Sequence, residues 1–350
     1  MIDRYKIKVY LKKESVEEVA IFNEDYPNLN QVFRESSVFV LDMTEDELDK
    51  ALEDTESDFA MFCNSYNIKT IAEPSVLTNI MANKDDLIKN CRSLFVLDID
   101  EQDAIKMQEE YGVLVLSSSK IEDEIFNRIF WRHLFIKDVT IQGDAISEWK
   151  QALSEMSWLP MNSLILFDNY LFTESGVSLE DCIENVKGLL NAILPDHLGV
   201  DFHILILTQH PDCSEVKRNR IVGNINSYLN SKRDYQIKLE VIFCDSPHQR
   251  KVITNYNIMV GDKGFVNFNN RKKKIIDNNP TYACSVFQNM NCSVGDTEYL
   301  MATVDLENIY GISEKIKEMN NNGVNDPTKK IVGNRSSRKE IYNRLLIART

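Results

Sequence analysis

Short apolar runs alternate with helical patterns over the first 130 residues. Helical segments separate the runs, and Thr44 with Glu47 three residues later is a capping-box signature for a helix start. Gly112 is typical of a helix stop. The runs that predict strands are 5–11, 37–43, 93–100 and 113–119. This alternation predicts a layered α/β domain with a largely parallel sheet.

The second half of the chain repeats the alternation with stronger apolar runs. The predicted strands are SLILFDNYLF (163–172), DFHILILTQ (201–209) and YQIKLEVIFCD (235–245). Between the first two strands, residues 179–194 place apolar side chains at helical spacing. We therefore predict an α/β protein with two α/β domains and a tail. Their bounds are 1–130, 131–322 and 323–350.

Composition places the chain among ordinary globular proteins, with 43% hydrophobic and 27% charged residues. No apolar run approaches the roughly 18 residues that a membrane span needs, and the N-terminus has no apolar signal core. The seven cysteines include no C-x-x-C pair. We therefore expect no membrane span, no structural zinc site and reduced thiols in a cytoplasmic protein.

The net charge of −14 is unevenly distributed. Residues 1–130 hold 28 acidic and 14 basic side chains, whereas the remainder holds 26 of each. Residues 323–350 hold seven basic and two acidic side chains. Because an acidic surface repels nucleic acid and anionic membranes, we expect any polyanion contact in the second half. The acidic first domain is a candidate docking surface for a protein partner.

The segment HQRKVITNYNIMVGDKGF, residues 248–265, carries the most specific candidate chemistry. On an extended strand, His248 and Arg250 point to one face, with Lys251 and Asn255 on the other. A histidine can act as a nucleophile or a general acid. An arginine offers donors that match phosphate oxygens. The pair therefore predicts a site for a phosphoryl group.

This segment resembles the signature of the phospholipase D superfamily, H-x-K-x(4)-D followed by a small turn. The matching residues are His248, Arg250 and Asn255, and Gly261 and Gly264 approximate the turn. The resemblance extends over about residues 163–268 and includes the apolar run near 163. It implies an α/β/α sandwich and phosphodiester cleavage through a phosphohistidine, with a second histidine protonating the leaving group.

The resemblance implies roles for the matching residues. His248 is expected to be the nucleophile or acid, Arg250 the phosphate clamp and Asn255 the orienter of the histidine. Asn255 stands where the family has aspartate, and an amide cannot stabilise an imidazolium by charge. The single motif copy implies a homodimer, and no metal or other cofactor is expected. From its predicted strand, we expect Asp168 or Tyr170 to line the His248 cleft.

Two functions are compatible with these residues. The first is a metal-independent phosphodiesterase, specifically a nuclease acting as a bacterial stress or phage-defence effector. The second is an inactive module that binds a phosphate-bearing ligand or a protein partner. Close to the motif lies a basic cluster, which either contacts nucleic-acid phosphates or is a solvated loop. Its members are Arg271, Lys272, Lys273 and Lys274.

Three carboxylates follow predicted strands of the first domain: Asp42, Asp98 and Asp100. At the carboxyl ends of parallel strands, such acids can gather and bind Mg²⁺. Alternatively, each caps the helix that follows its strand. The chain has no G-x(4)-G-K-[ST] motif, which excludes a P-loop nucleotide triphosphatase.

Overall fold

The computed structural model forms helices and mixed sheets, which confirms the predicted α/β class. It describes residues 6–121, 125, 133–136, 147–154, 156, 158–209, 214–244, 250–269, 274–275, 281–286, 298–324, 329–333 and 343–347. The chain divides into two compact units. Unit 1 comprises 1–131, 285–304 and 348–350, and unit 2 comprises 132–284 and 305–347. Within the described residues, no helix is both long enough and apolar enough to cross a membrane.

Unit 1 is built on a five-stranded parallel sheet in the order β3-β2-β1-β4-β5. The strands are β1 (Ile7–Leu11), β2 (Ser37–Leu41), β3 (Lys69–Ala72), β4 (Leu94–Leu97) and β5 (Leu114–Ser117). Strands β2 and β4 are buried throughout, as expected for the middle of a parallel sheet. The strand order reverses between β1 and β4, which places a crevice outside the carboxyl ends of these strands.

Short-range signals set the helix ends of unit 1. The helices are α1 (Lys13–Ile21), α2 (Pro27–Ser36), α3 (Glu45–Glu53), α4 (Asp58–Ser65), α5 (Val76–Ala82), α6 (Asp85–Lys89) and α7 (Glu101–Tyr111). The predicted capping box is confirmed, because the amide of Glu47 donates to Thr44 while the Glu47 carboxylate accepts from the Thr44 amide at 2.8 Å. Gly112 ends α7 with φ 62°.

Unit 2 contains an eight-stranded mixed sheet in the order β15-β9-β8-β7-β10-β11-β14-β6. The strands are β6 (His133–Ile136), β7 (Ser163–Phe167), β8 (Phe202–Thr208), β9 (Ile237–Phe243), β10 (Lys251–Thr254), β11 (Asn257–Gly261), β14 (Thr281–Ser285) and β15 (Lys330–Gly333). A separate pair is formed by β12 (Phe268–Asn269) and β13 (Lys274–Ile275). Strands β7, β8 and β9 are parallel, whereas β10 runs antiparallel to β7.

Two helices connect the parallel strands of unit 2, and their apolar faces form its core. These two are α9 (Leu179–Ile193) and α10 (Glu215–Asn230), and the other helices that the structure describes after α7 are α8 (Trp149–Ala152), α11 (Glu298–Asn321) and α12 (Arg344–Ile347). Helix α9 buries Val186 and Leu189, as its apolar periodicity predicts. Trp149 is fully buried against the ring of Phe268 at 5.3 Å, so α8 also packs into this core.

The C-terminal segment is part of the unit 2 fold where the structure describes it. Strand β15 pairs antiparallel with β9 at the edge of the sheet. Arg344 is buried, donates to the carbonyl oxygen of Asn162 at 3.0 Å and forms an ion pair with Asp201. Hydrogen bonding from His203, with Lys238 and the charge of Arg344, holds the pKa of the Asp201 carboxyl well below its usual value. Arg344 therefore stabilises the fold, and it is not available for the polyanion contact expected in the second half of the chain.

Candidate functional site

The topology of unit 2 brings Asp168 and Arg250 together. Because β7, β8 and β9 are parallel, their carboxyl ends lie at one edge of the sheet. Asp168 directly follows β7, and Arg250 directly precedes β10. Since β10 is antiparallel to β7 and Lys251 pairs with Phe167, the start of β10 lies beside the end of β7.

The Arg250 guanidinium is fixed from several sides but keeps unused donors. Its Nη1 donates to the carbonyl oxygen of Asp262 at 2.6 Å, and its carbon lies 5.5 Å from the centre of the Tyr170 ring. Nε is 4.0 Å from Asp168 Oδ1, which is too far for a hydrogen bond. Nε is buried and has no hydrogen-bond partner within the described part of the chain. The side chain remains 22% exposed, so an incoming anion can reach the guanidinium.

Asp168 organises the backbone around Arg250. Its side chain is 1% exposed. Oδ1 accepts from the amide of Tyr170 and Oδ2 from the amide of Phe265, both at 2.9 Å. Burial raises the pKa of this carboxyl, while the two amides and Arg250 act in the opposite direction. The carboxylate thus connects the end of β7 to the loop after β11. It also holds both segments in place beside Arg250.

Gly264 makes this arrangement possible. Its φ is +116°, a conformation that side-chain-bearing residues rarely adopt. A Cβ at this position would lie 2.7 Å from Asp168 Oδ2 and 3.4 Å from Arg250 Cδ. The glycine that the motif resemblance placed in a small turn therefore lies directly against the Asp168 carboxylate.

Asn255 lies at the opposite end of strand β10 from Arg250. Strand β10 ends at Thr254, which pairs with Leu164 near the start of β7. Four strand residues span about 13 Å. The Asn255 side chain is buried. Its Oδ1 accepts from the backbone amide of Asn162 at 3.4 Å, and its Nδ2 donates to Asn162 Oδ1 at 3.3 Å. The structure does not bring Asn255 to Arg250, because the whole of strand β10 separates them and the Asn255 side chain bonds instead to Asn162 before β7.

Several predicted site residues lie outside the described residues. They are His248, Arg271, Lys272 and Lys273, and Lys274 is described only as backbone in β13. Cys244 after β9 and Arg250 before β10 flank His248 in sequence, and β8 and β7 lie between those two strands in the sheet. The site that the structure describes is therefore Asp168, Tyr170 and Arg250 with their backbone partners.

The three carboxylates of unit 1 do not form a metal centre. Across the described ranges, no three His, Cys, Asp or Glu side chains are arranged to hold a metal ion. Asp100 Oδ1 accepts from the amide of Asp103 at 2.8 Å at the start of α7, so the helix-cap alternative is confirmed for this residue. Asp98 instead forms an ion pair with Lys12 at 3.0 Å.

Sequence reasoning missed Asn185, which positions the chain after Gly264. Its Oδ1 accepts from the amides of Asn267 at 3.1 Å and Phe268 at 2.9 Å, and its Nδ2 donates to the Phe268 carbonyl oxygen at 2.7 Å. The signal was present, since Asn185 is a polar residue on the buried face of α9. A buried amide in such a position needs partners, which here come from the site loop.

A scan against protein-family models gave no match, and a search of curated proteins found no significant similarity. The resemblance to the phospholipase D superfamily therefore rests on the motif residues of this chain.

Proposed function

We propose that unit 2 is a metal-independent phosphodiesterase that cleaves nucleic acid, with His248 as nucleophile and Arg250 as phosphate clamp. The observation that supports this proposal is how the Arg250 side chain is held. Its guanidinium is immobilised by the Asp262 carbonyl oxygen and the Tyr170 ring, but no carboxylate forms a hydrogen bond to it within the described residues. A fixed, partly exposed guanidinium with free donors is well suited to bind a phosphate.

The sequence motif supplies the chemistry. A ring nitrogen of His248 attacks phosphorus, an N–P bond forms, and the P–O bond to the leaving group breaks. An acid protonates the departing oxygen, and water then attacks the phosphohistidine to release the phosphate and restore the imidazole. Arg250 stabilises the charge that develops on the phosphoryl oxygens. Since this chain carries one motif copy, we propose that a second copy of the chain supplies the acid in a homodimer.

Asp168 acts in this proposal as a positioning residue. Its carboxylate holds the Tyr170 and Phe265 amides, so it fixes both the ring and the loop that contact Arg250. Asn255 has no role in the proposed chemistry because it lies at the other end of strand β10 from Arg250.

The test uses the purified full chain with labelled single-stranded and double-stranded DNA and RNA in EDTA. We expect cleavage, its loss in His248→Ala, and a reduction of about 10²–10³-fold in Arg250→Ala. Matched controls are His197→Ala and Arg220→Ala, which change exposed residues of unit 2 and should leave the rate unchanged. Cleavage that persists in His248→Ala, or that requires a divalent metal, would refute the proposal.

A second candidate function is phosphate recognition without turnover. It is favoured by one observation: the motif's aspartate is replaced by Asn255, which lies away from Arg250. In this case the wild type and His248→Ala bind nucleic acid equally in fluorescence anisotropy, neither cleaves it, and Arg250→Ala weakens binding.

A further inference from the structure

Unit 1 contains a cavity of about 820 Å³ at the carboxyl edge of its parallel sheet. Its lining includes the residues that directly follow four strands: Lys12 after β1, Asp42 after β2, Asp98 after β4 and Ser118 after β5. The cavity therefore lies at the point where the strand order reverses, which is the usual ligand position in open α/β sheets. Its volume is within the range of small-molecule sites.

Charged groups of both signs are available in this cavity. Asp42 and Lys50 line it, and neither side chain makes a hydrogen bond or ion pair with another described residue. In contrast, Glu47 is committed to the capping box. Glu14 also lines the cavity without such a bond to a described residue, so the cavity offers the carboxylates of Asp42 and Glu14 and the ammonium group of Lys50, whose charge also acts on Glu47.

The Lys12–Asp98 ion pair connects the two strands on either side of the reversal. Its side chains are 45% and 74% exposed, and pairs this exposed contribute at most about 1 kcal/mol. A ligand anion can therefore displace Asp98 from Lys12 at small cost. Lys12 is also the N-cap residue of α1, and the start of a helix favours an anion placed beside it.

We propose that this cavity binds a ribonucleoside monophosphate. The Asp42 carboxylate accepts hydrogen bonds from the vicinal ribose hydroxyls, and the ammonium groups of Lys50 and Lys12 bind the phosphate. The connection between β1 and α1 is the single residue Lys12, so a long side chain stands where a glycine would be needed for close backbone approach to a pyrophosphate. Three glutamates of the lining, Glu14, Glu18 and Glu47, repel additional negative charge. The site therefore favours one phosphate over a dinucleotide or a triphosphate.

Isothermal titration calorimetry tests this site with AMP, GMP, CMP and UMP on the full chain. We expect at least one of them to bind, with its 2′-deoxy analogue weakened about tenfold, since one lost hydrogen bond to a charged group is worth roughly 1.4 kcal/mol. Asp42→Asn should weaken the ribonucleotide by a similar factor. Lys50→Met should weaken the monophosphate without changing the affinity of the free nucleoside.

The controls separate this site from the one in unit 2 and from misfolding. Asp49→Asn changes an exposed acid of α3 that does not line the cavity, and it should bind normally. Arg250→Ala should also bind normally, because the proposed site does not use unit 2. Circular dichroism of Asp42→Asn should match the wild type. Absence of binding by all four monophosphates at millimolar concentration, or equal binding by Asp42→Asn, would overturn the proposal.

Discussion

Replacing Gly264 by alanine is the sharpest test of how the unit 2 site is built. The new Cβ would lie 2.7 Å from Asp168 Oδ2, which is closer than real Cβ contacts. The carboxylate cannot withdraw freely, because that oxygen accepts the Phe265 amide at 2.9 Å in a buried environment. The alanine must also adopt φ near +116°.

The expected cost follows from these two terms. Forcing a non-glycine residue into this backbone region costs about 1–3 kcal/mol. Losing the buried hydrogen bond between the Phe265 amide and Asp168 costs about 1–3 kcal/mol more. We therefore expect Gly264→Ala to lower the free energy of unfolding by roughly 2–6 kcal/mol, and to weaken phosphate-dependent activity or binding by displacing Arg250.

Gly223→Ala is the matched control, because it adds the same methyl group in the interior of α10. No atom lies within 4 Å of its added Cβ, so the helix should gain about 0.5–1 kcal/mol. Urea unfolding followed by tryptophan fluorescence, to which buried Trp149 contributes, measures both variants. If Gly264→Ala unfolds at the same urea concentration as Gly223→Ala, the described contact between Gly264 and Asp168 is incorrect.

Three further predictions concern the supports of unit 2. Asn185→Ala leaves buried groups of Asn267 and Phe268 without their partner, so we expect a loss of about 3–5 kcal/mol in urea unfolding, and a loss under 1 kcal/mol would contradict this. Arg344→Ala removes one of the cationic partners of Asp201 and leaves the Asn162 carbonyl oxygen without its donor, so a decrease of about 1–3 kcal/mol is expected in the same assay, whereas an unchanged midpoint would show that the C-terminal segment is dispensable. Because the pKa of Asp201 is lowered in the folded state, its stabilisation is present above the unfolded pKa of about 4 and is lost as pH falls below it. Thermal unfolding between pH 6 and 3 should therefore decline more steeply in the wild type than in Asp201→Asn, and parallel curves would be inconsistent with this assignment.

The α/β class and the individual elements could be predicted because they depend on neighbouring residues. The capping box joins Thr44 and Glu47, three positions apart, and Gly112 ends α7 through its own backbone conformation. The apolar periodicity of α9 likewise reports a face that any packing of this helix must bury.

Which predicted site residues lie close together depends on where strand β10 begins and ends. The parity argument treated residues 248–255 as one extended strand, but β10 stops at Thr254 and pairs antiparallel with β7. This register places Asn255 near the start of β7 and Arg250 beside Asp168 at its end. No local pattern reports the register, because it is fixed by the hydrogen bonds that β10 makes with β7, more than 80 residues earlier in the chain.

The sequence by itself determined the α/β class, the longer apolar strands, the helix signals at Thr44 and Gly112, and the acidic first part of the chain with its basic tail, since these follow from residues within a few positions of one another. Only the tertiary structure decided that Gly264 lies against Asp168, that Asn185 holds the loop after it, and that Arg344 is an internal ion-pair partner. It also placed Asp42 and Lys50 around one cavity. The physical reason is that strand order and register are collective properties of the packed sheets, and they bring together side chains that the sequence keeps far apart.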